Sequence, residues 1–127
     1  MFETEEQKER IILVAVATAD GDDTEQSLDE LEELGQTAGA VTVAKVIQNR
    51  EKVHAGTYVG KGKIEEIKNL AISLDADAVV CDDELSPAQY HNLQDALEIK
   101  VIDRTVMILD IFAKRASTSE GKLQVEL

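Results

Sequence analysis

The chain has no tryptophan, one cysteine, one proline and only four aromatic residues, Phe2, Tyr58, Tyr90 and Phe112. A lone cysteine excludes an intrachain disulfide. Its setting, Ala78-Val79-Val80-Cys81, reads as a small buried hydrophobe in a reducing compartment. Long hydrophobic runs are also missing. The longest, Ile11 to Ala17, falls far short of the roughly 20 residues a bilayer span requires, and Glu5, Glu6, Lys8, Glu9 and Arg10 precede it. Neither a membrane helix nor a signal peptide is expected, and the expected location is the cytoplasm. His54 and His91 lie in separate segments with no cysteine or second histidine at ligand spacing, so no zinc site is expected. No Gly-x-Ser-x-Gly elbow or other marked nucleophile occurs, and no catalysis is expected of this chain.

Basic residues are scarce: 13 against 26 acidic ones, a net charge of −13. That balance excludes general nucleic-acid binding, which needs a basic surface to neutralise phosphates. The charge is unevenly spread, however. Residues 1–40 carry twelve acidic and two basic side chains, residues 41–70 three and six, and residues 71–127 eleven and five. The one basic segment is therefore central.

What is present is a 43% apolar chain of 127 residues, enough for one domain with its own core. That core must come from Val, Ile, Leu and Ala, a composition typical of a parallel sheet flanked by helices. Ile11–Ala17, Val41–Ile47, Ala78–Cys81 and Lys100–Ile102 are short and apolar on both faces, and read as buried strands. Between the first two, Ser27-x-x-Glu30 reads as a capping box opening a helix with Leu28, Leu31 and Leu34 as its stripe, ending at Gly39. A second helix carries Ile64, Ile67, Leu70, Ala71 and Leu74. A third opens at Ser86 with Pro87 at its first position and Gln89 closing a box, and buries Leu93, Ala96 and Leu97. A fourth spans about Arg104 to Lys114, with Val106, Ile108, Leu109 and Phe112 so crowded that cover on more than one face is expected. Alternation of strand and helix implies parallel strands joined by crossovers. The expected fold is α/β: a small three-layer sandwich with a four-stranded, mainly parallel sheet, flanking helices and the start of a long helix at the C-terminus. Residues 1–10 read as a flexible leader and 11–116 as the domain. In 117–127 the pair Ser117 and Glu120 reads as a capping box, with Leu123 and Leu127 beginning an uncompleted stripe. The expectation is a truncated helix, whose uncovered apolar face would promote a dimer.

The sharpest local feature is Gly60-Lys61-Gly62-Lys63, between the second strand and second helix. Glycines admit close backbone approach, and helix-end amides receive anions. The P-loop pattern is not met, since Gly56 leads to Lys61 and Gly62-Lys63 leads to Ile64 instead of Ser or Thr. Arg50 to Lys63 form a long loop with Tyr58 among the charges, a combination suited to RNA, where aromatics stack and cations meet phosphates. Candidate RNA-binding residues are thus Arg50, Tyr58, Lys61, Lys63 and Arg104; Gly60, Lys61, Gly62 and Lys63 are the weaker nucleotide-binding candidates. An acidic mouth, Asp20, Asp22 and Asp23 after the first strand and Asp82, Asp83 and Glu84 after the third, suits Mg²⁺. Aspartates after strands are also ordinary cap chemistry. Arg104 has a packing alternative at the start of its helix, with Asp103 as its N-cap.

Four blocks together carry a resemblance: Thr57 to Ile67, Asp83 to Gln89, Val101 to Ala116, and Glu120 to Leu127. In order and spacing they closely resemble the amino-terminal domain of the HflX family of GTPases, over about residues 11–127. The resemblance implies a parent with a helical hairpin, whose first turn would start at Ser117, and a GTP-hydrolysing G domain acting on the large ribosomal subunit. GTP and Mg²⁺ belong to that G domain, whose phosphate loop, metal ligands and guanine-reading residues would lie beyond Leu127. No cofactor and no GTP hydrolysis are expected of this chain. The partners so implied are the large subunit and its rRNA, and the chain's own G domain and helical linker. The alternatives are a stand-alone nucleotide-binding or regulatory domain using Gly60 to Lys63 or the Asp20/Asp82 mouth, and a domain that only covers its own G domain.

Overall fold

The computed structural model describes residues 8–18 and 23–113. The expectations for the acidic residues Asp20 and Asp22, for most of the leader, and for residues 117–127 lie outside these residues. In chain order the elements are β1 (Glu9–Ala17), α1 (Thr24–Thr37), β2 (Ala40–Asn49), α2 (Lys61–Leu74), β3 (Ala78–Cys81), α3 (Pro87–Leu97) and β4 (Lys100–Asp103). Residues 104–113, here α4, are helical as well.

All four strands are parallel and ordered β2-β1-β3-β4. β1 pairs with β2 on one edge and β3 on the other, so its seven apolar residues Ile11 to Ala17 are all buried. Successive strand side chains point to opposite faces. Ile12, Val14 and Val16 therefore meet Ile64, Ile67 and Ala71 of α2 and Leu93 and Leu97 of α3. Ile11, Leu13 and Ala15 meet Leu28 and Leu31 of α1 and Met107 and Ile111 of α4. Three layers result, with α2 and α3 on one face and α1 and α4 on the other. Fully burying a leucine such as Leu31 contributes about 1.5–3 kcal/mol.

Several local expectations change. β1 begins at Glu9, inside the expected leader, because Arg10 is tied down: its guanidinium donates to the Leu74 carbonyl at 2.8 and 3.1 Å, and its amide to Asp77 at 2.9 Å. β2 is an edge strand and is not buried throughout; Val41 stays 39% exposed and Lys45 faces out. α1 starts at Thr24, so Ser27 lies within its first turn and forms no capping box. The Ser27 hydroxyl donates instead to Asp82 at 2.7 Å. Helix α1 ends as expected, Gly39 taking the left-handed conformation (φ 91°) that glycine adopts without strain. Among the described residues α4 packs on the sheet through Met107 and Ile111, while Val106, Leu109 and Phe112 stay exposed.

The start of α3 follows the sequence. Ser86 Oγ accepts from the Gln89 amide at 3.1 Å, Gln89 Oε1 accepts from the Ser86 amide at 2.9 Å, and Pro87 opens the helix. Replacing Ser86→Ala is expected to destabilise the domain by about 1 kcal/mol, a fall in Tm of about 3–6 °C by thermal denaturation. An unchanged Tm would show that the box contributes nothing.

Candidate functional site

The chain passes from β1 to β2 on one side and returns to β3 on the other, so the strand order reverses between β1 and β3. Open α/β sheets place ligands at the carboxyl ends of such strands. Here the protein's own side chains occupy that crevice.

The first comes from the loop of residues 50–60. Tyr58 is 1% exposed; its hydroxyl accepts from the Val16 amide at 3.3 Å and donates to Asp83 Oδ2 at 2.7 Å. Its ring lies in the core, so the expected stacking on an RNA base is corrected: no face of the ring is available. Tyr58 also holds φ 69°, a strained value for a bulky residue. The surroundings impose it. His54 and Tyr58 exchange backbone hydrogen bonds of 3.0 and 2.8 Å, and His54 Nδ1 accepts from the amides of Gly56 and Thr57 at 3.0 and 3.2 Å. Helix α3 holds the same turn from outside, Gln89 Nε2 donating to the His54 carbonyl and Asn92 Nδ2 to the Gly56 carbonyl, both at 2.9 Å. Gln89 is legible in sequence as a capping residue; its second bond, like that of Asn92, has no local signal.

This loop delivers the chain to Gly60, the N-cap of α2. Its amide donates to Gln48 Oε1 at 2.8 Å, and a Cβ at this position would lie 2.9 Å from Arg50 Nη1. A side chain there would displace only the far end of the Arg50 side chain, and the φ of −74° is open to any residue, so glycine lets the guanidinium come close without being required by the backbone. The Arg50 guanidinium lies against Gly60, the residue before Lys61 at the start of α2. With no capping side chain and no acid in the first turn, that helix end presents amides and a positive dipole to the surface. Lys63 pairs with Glu66 at 3.0 Å, Lys68 with Glu98 at 3.0 Å, and Lys45 with Asp29 and Glu32 at 2.8 and 2.7 Å. Its hydrogen bonds to Asp29 and Glu32 raise the pKa of the Lys45 ammonium to about 12. Arg50 and Lys61 have no carboxylate partner among the described residues.

Arg104 belongs to a separate cluster, which corrects its place beside the loop lysines. Its Nη2 donates to Asp82 Oδ1 and to the Ser27 carbonyl, both at 2.8 Å, and its Nε to Asp82 at 3.2 Å. Glu30 lies 3.8 Å away. Asp103 caps α4 as expected: Oδ1 accepts from the Val106 amide at 3.0 Å, and Oδ2 from the Leu85 amide at 2.8 Å. The acidic mouth therefore has Asp82 committed to Arg104 and Asp83 to Tyr58. No group of three metal-ligating side chains occurs among the described residues, nor is any of their helices long and apolar enough to cross a membrane.

Fold and site thus define a small doubly wound α/β domain in which Tyr58, Asp82, Asp83 and Arg104 are bonded to one another or to the backbone near the carboxyl ends of β1 and β3, while Arg50, Lys61 and Lys63 stand at the start of α2. Comparison with known proteins gives it a family. The sequence pattern of the GTP-binding GTPase N-terminal family matches residues 25–113, and the chain belongs to that family. It is similar along its whole length to the GTPase HflX of Lacrimispora saccharolytica (66% identical) and of Escherichia coli (42%), and over 77% of its length to that of Thermococcus kodakarensis (46%). It spans about 30% of the length of the first two relatives and 22% of the third, corresponding to the amino-terminal domain of a GTP-binding protein. Among solved structures the fold is similar to that of SsGBP in complex with GDP (TM-score 0.64, 22% identity), over 92% of this chain and 33% of that one. A GTP-binding protein from Sulfolobus solfataricus in complex with GDP also matches, with a TM-score of 0.55 and 17% identity over 80% of this chain and 30% of that one.

Two outcomes are expected. Tyr58→Phe leaves the Val16 amide buried without its acceptor and costs about 1–3 kcal/mol in urea unfolding. Cys81 is held protonated, its thiol pushed well above 9.0 by burial first and then by the charges of Asp103, Asp83 and Asp82. Since the thiolate is the reactive form, iodoacetamide at pH 8 should label Cys81 in urea and not in the folded chain. The same shift fixes a sign: above pH 9 the unfolded chain releases a proton that the native one retains, so this contribution to stability falls as pH rises.

Proposed function

We propose that the chain is an accessory docking and regulatory domain of an HflX-type GTPase, seating its parent on the large ribosomal subunit through backbone phosphates of rRNA. The observation that carries this reading is the convergence of Arg50 and Lys61, neither paired with a described carboxylate, with Lys63 at an uncapped helix start. An anion meets there the Lys61 ammonium, the Arg50 guanidinium and the positive end of α2, with Lys63 nearby on Glu66 and with Gly60 and Gly62 keeping the backbone accessible. Tyr58 is a positioning residue that anchors the loop from inside, and Arg104 is not a phosphate contact. The acidic outer face of α1, with Glu25, Asp29, Glu30 and Glu33 exposed, repels rRNA and restricts which side of the domain approaches it.

On this reading GTP, Mg²⁺ and hydrolysis belong to the remainder of the parent, the further partners are that G domain and its helical linker, and the protein works in the cytoplasm. A free nucleotide at Gly60 to Lys63 is the competing occupant, favoured by the same uncapped amides.

Co-sedimentation with large ribosomal subunits separates these. The chain should pellet at low salt and progressively less as salt rises, since each phosphate contact releases counterions. Lys61→Glu/Lys63→Glu should abolish pelleting. Absence of pelleting at low salt would overturn docking by the isolated domain; pelleting lost on adding ATP at constant ionic strength would favour the nucleotide.

A further inference from the structure

α4 has a partly exposed apolar side among the described residues. Met107 and Ile111 pack it on the sheet, yet Leu109 is 59% and Phe112 60% exposed, and its apolar anchoring is correspondingly thin. Its first residue is Arg104, and a cation at that position opposes the helix dipole. Local propensity does not select it. The contacts of Arg104 are instead all tertiary, reaching the end of β3 through Asp82 and the first turn of α1 through the Ser27 carbonyl and hydroxyl, the latter at 3.1 Å. Asp82 is itself held, its carboxylate also accepting from the Ser27 hydroxyl and its amide donating to the Val14 carbonyl at 2.9 Å. Directly before it, Asp103 is 2% exposed and joins the cap of α4 to the Leu85 amide in the β3–α3 connection.

We infer that Asp103 and Arg104 form a clamp that sets the direction in which α4 leaves the sheet, and thereby orients whatever follows the domain in its parent. Asp103 fixes where the helix begins. Arg104, reaching sideways to two other elements, fixes its rotation and tilt: two donors on one planar group, aimed at a carboxylate and a carbonyl on different elements, leave little angular freedom. Lysine at 104 keeps the charge but presents it on a compact ammonium without the planar fork, so it fixes the direction of the helix less firmly. The link to orientation of the parent rests on the docking reading above; the clamp itself does not.

The test uses this chain alone. Residual dipolar couplings of the backbone amides report the angle between α4 and the sheet, and hydrogen exchange reports local opening. Arg104→Ala should rotate α4 relative to the sheet and raise exchange of the amides of residues 106–111 at least tenfold, leaving those of β1 and β3 unchanged. Asp82→Asn should act in the same direction, and Arg104→Lys should fail to restore the wild-type couplings. Wild-type couplings and exchange in α4 of Arg104→Ala would overturn the inference. So would exchange rising equally throughout β1 and β3 in both Arg104→Ala and Asp82→Asn, which would mark a general loss of stability. None of these readouts involves the ribosome, so failed docking with an intact clamp, or the reverse, is distinguishable.

Discussion

Ile11 to Ala17 lie under helices on both faces while their backbone is hydrogen-bonded to β2 on one edge and β3 on the other. Every other element is placed by reference to this strand. Burial on both faces requires apolar residues at every position, and burial of the backbone requires a neighbour on each edge, since an unpaired amide in such surroundings costs about 1–3 kcal/mol. The two crossovers that supply those neighbours leave β1 in opposite directions across the sheet, and the reversal creates the crevice at the carboxyl end.

That crevice explains how the site is divided. Val16 lies near the end of β1, past its pairing with β3, and the Tyr58 hydroxyl accepts from its amide, carrying the loop of residues 50–60 inward. Asp82, just after β3, would be a nearly buried carboxylate with no opposite charge, and Arg104 provides one. Charge and hydrogen bonding at the centre are consumed by holding loops and α4 in place. At the rim, Arg50 and Lys61 stand at the opening of α2 with no carboxylate partner among the described residues. The strained backbone of Tyr58 fits the same logic, its strain being offset by the bonds that fix the turn from several sides.

Three of the expectations that failed share one cause. Ser27-x-x-Glu30 satisfies the pattern of a capping box, yet the helix begins earlier, because Asp82 from another strand offers the Ser27 hydroxyl a partner. Tyr58 amid basic residues has the composition of an RNA-stacking loop, yet Val16 and Asp83 draw it inward. Arg104 has the charge of a phosphate contact, yet its partners lie 22 and 77 positions away. In each case a polar side chain had two plausible uses, and the choice depended on a group distant in sequence.

The order of elements, the parallel sheet, the apolar stripes of α1, α2 and α3, the Ser86 box, the burial of Cys81 and the membership of a GTPase family were all legible in the chain, because periodicity, capping and motif spacing are local properties. Strand order, the edge position of β2, the exposed apolar residues of α4 and the partners of Tyr58 and Arg104 were decided only by the tertiary structure. Hydrophobic pattern specifies that a residue is buried but is silent on its neighbour, whereas hydrogen bonds and ion pairs depend on direction and on distances of about 3 Å, which exist only once the layers have closed.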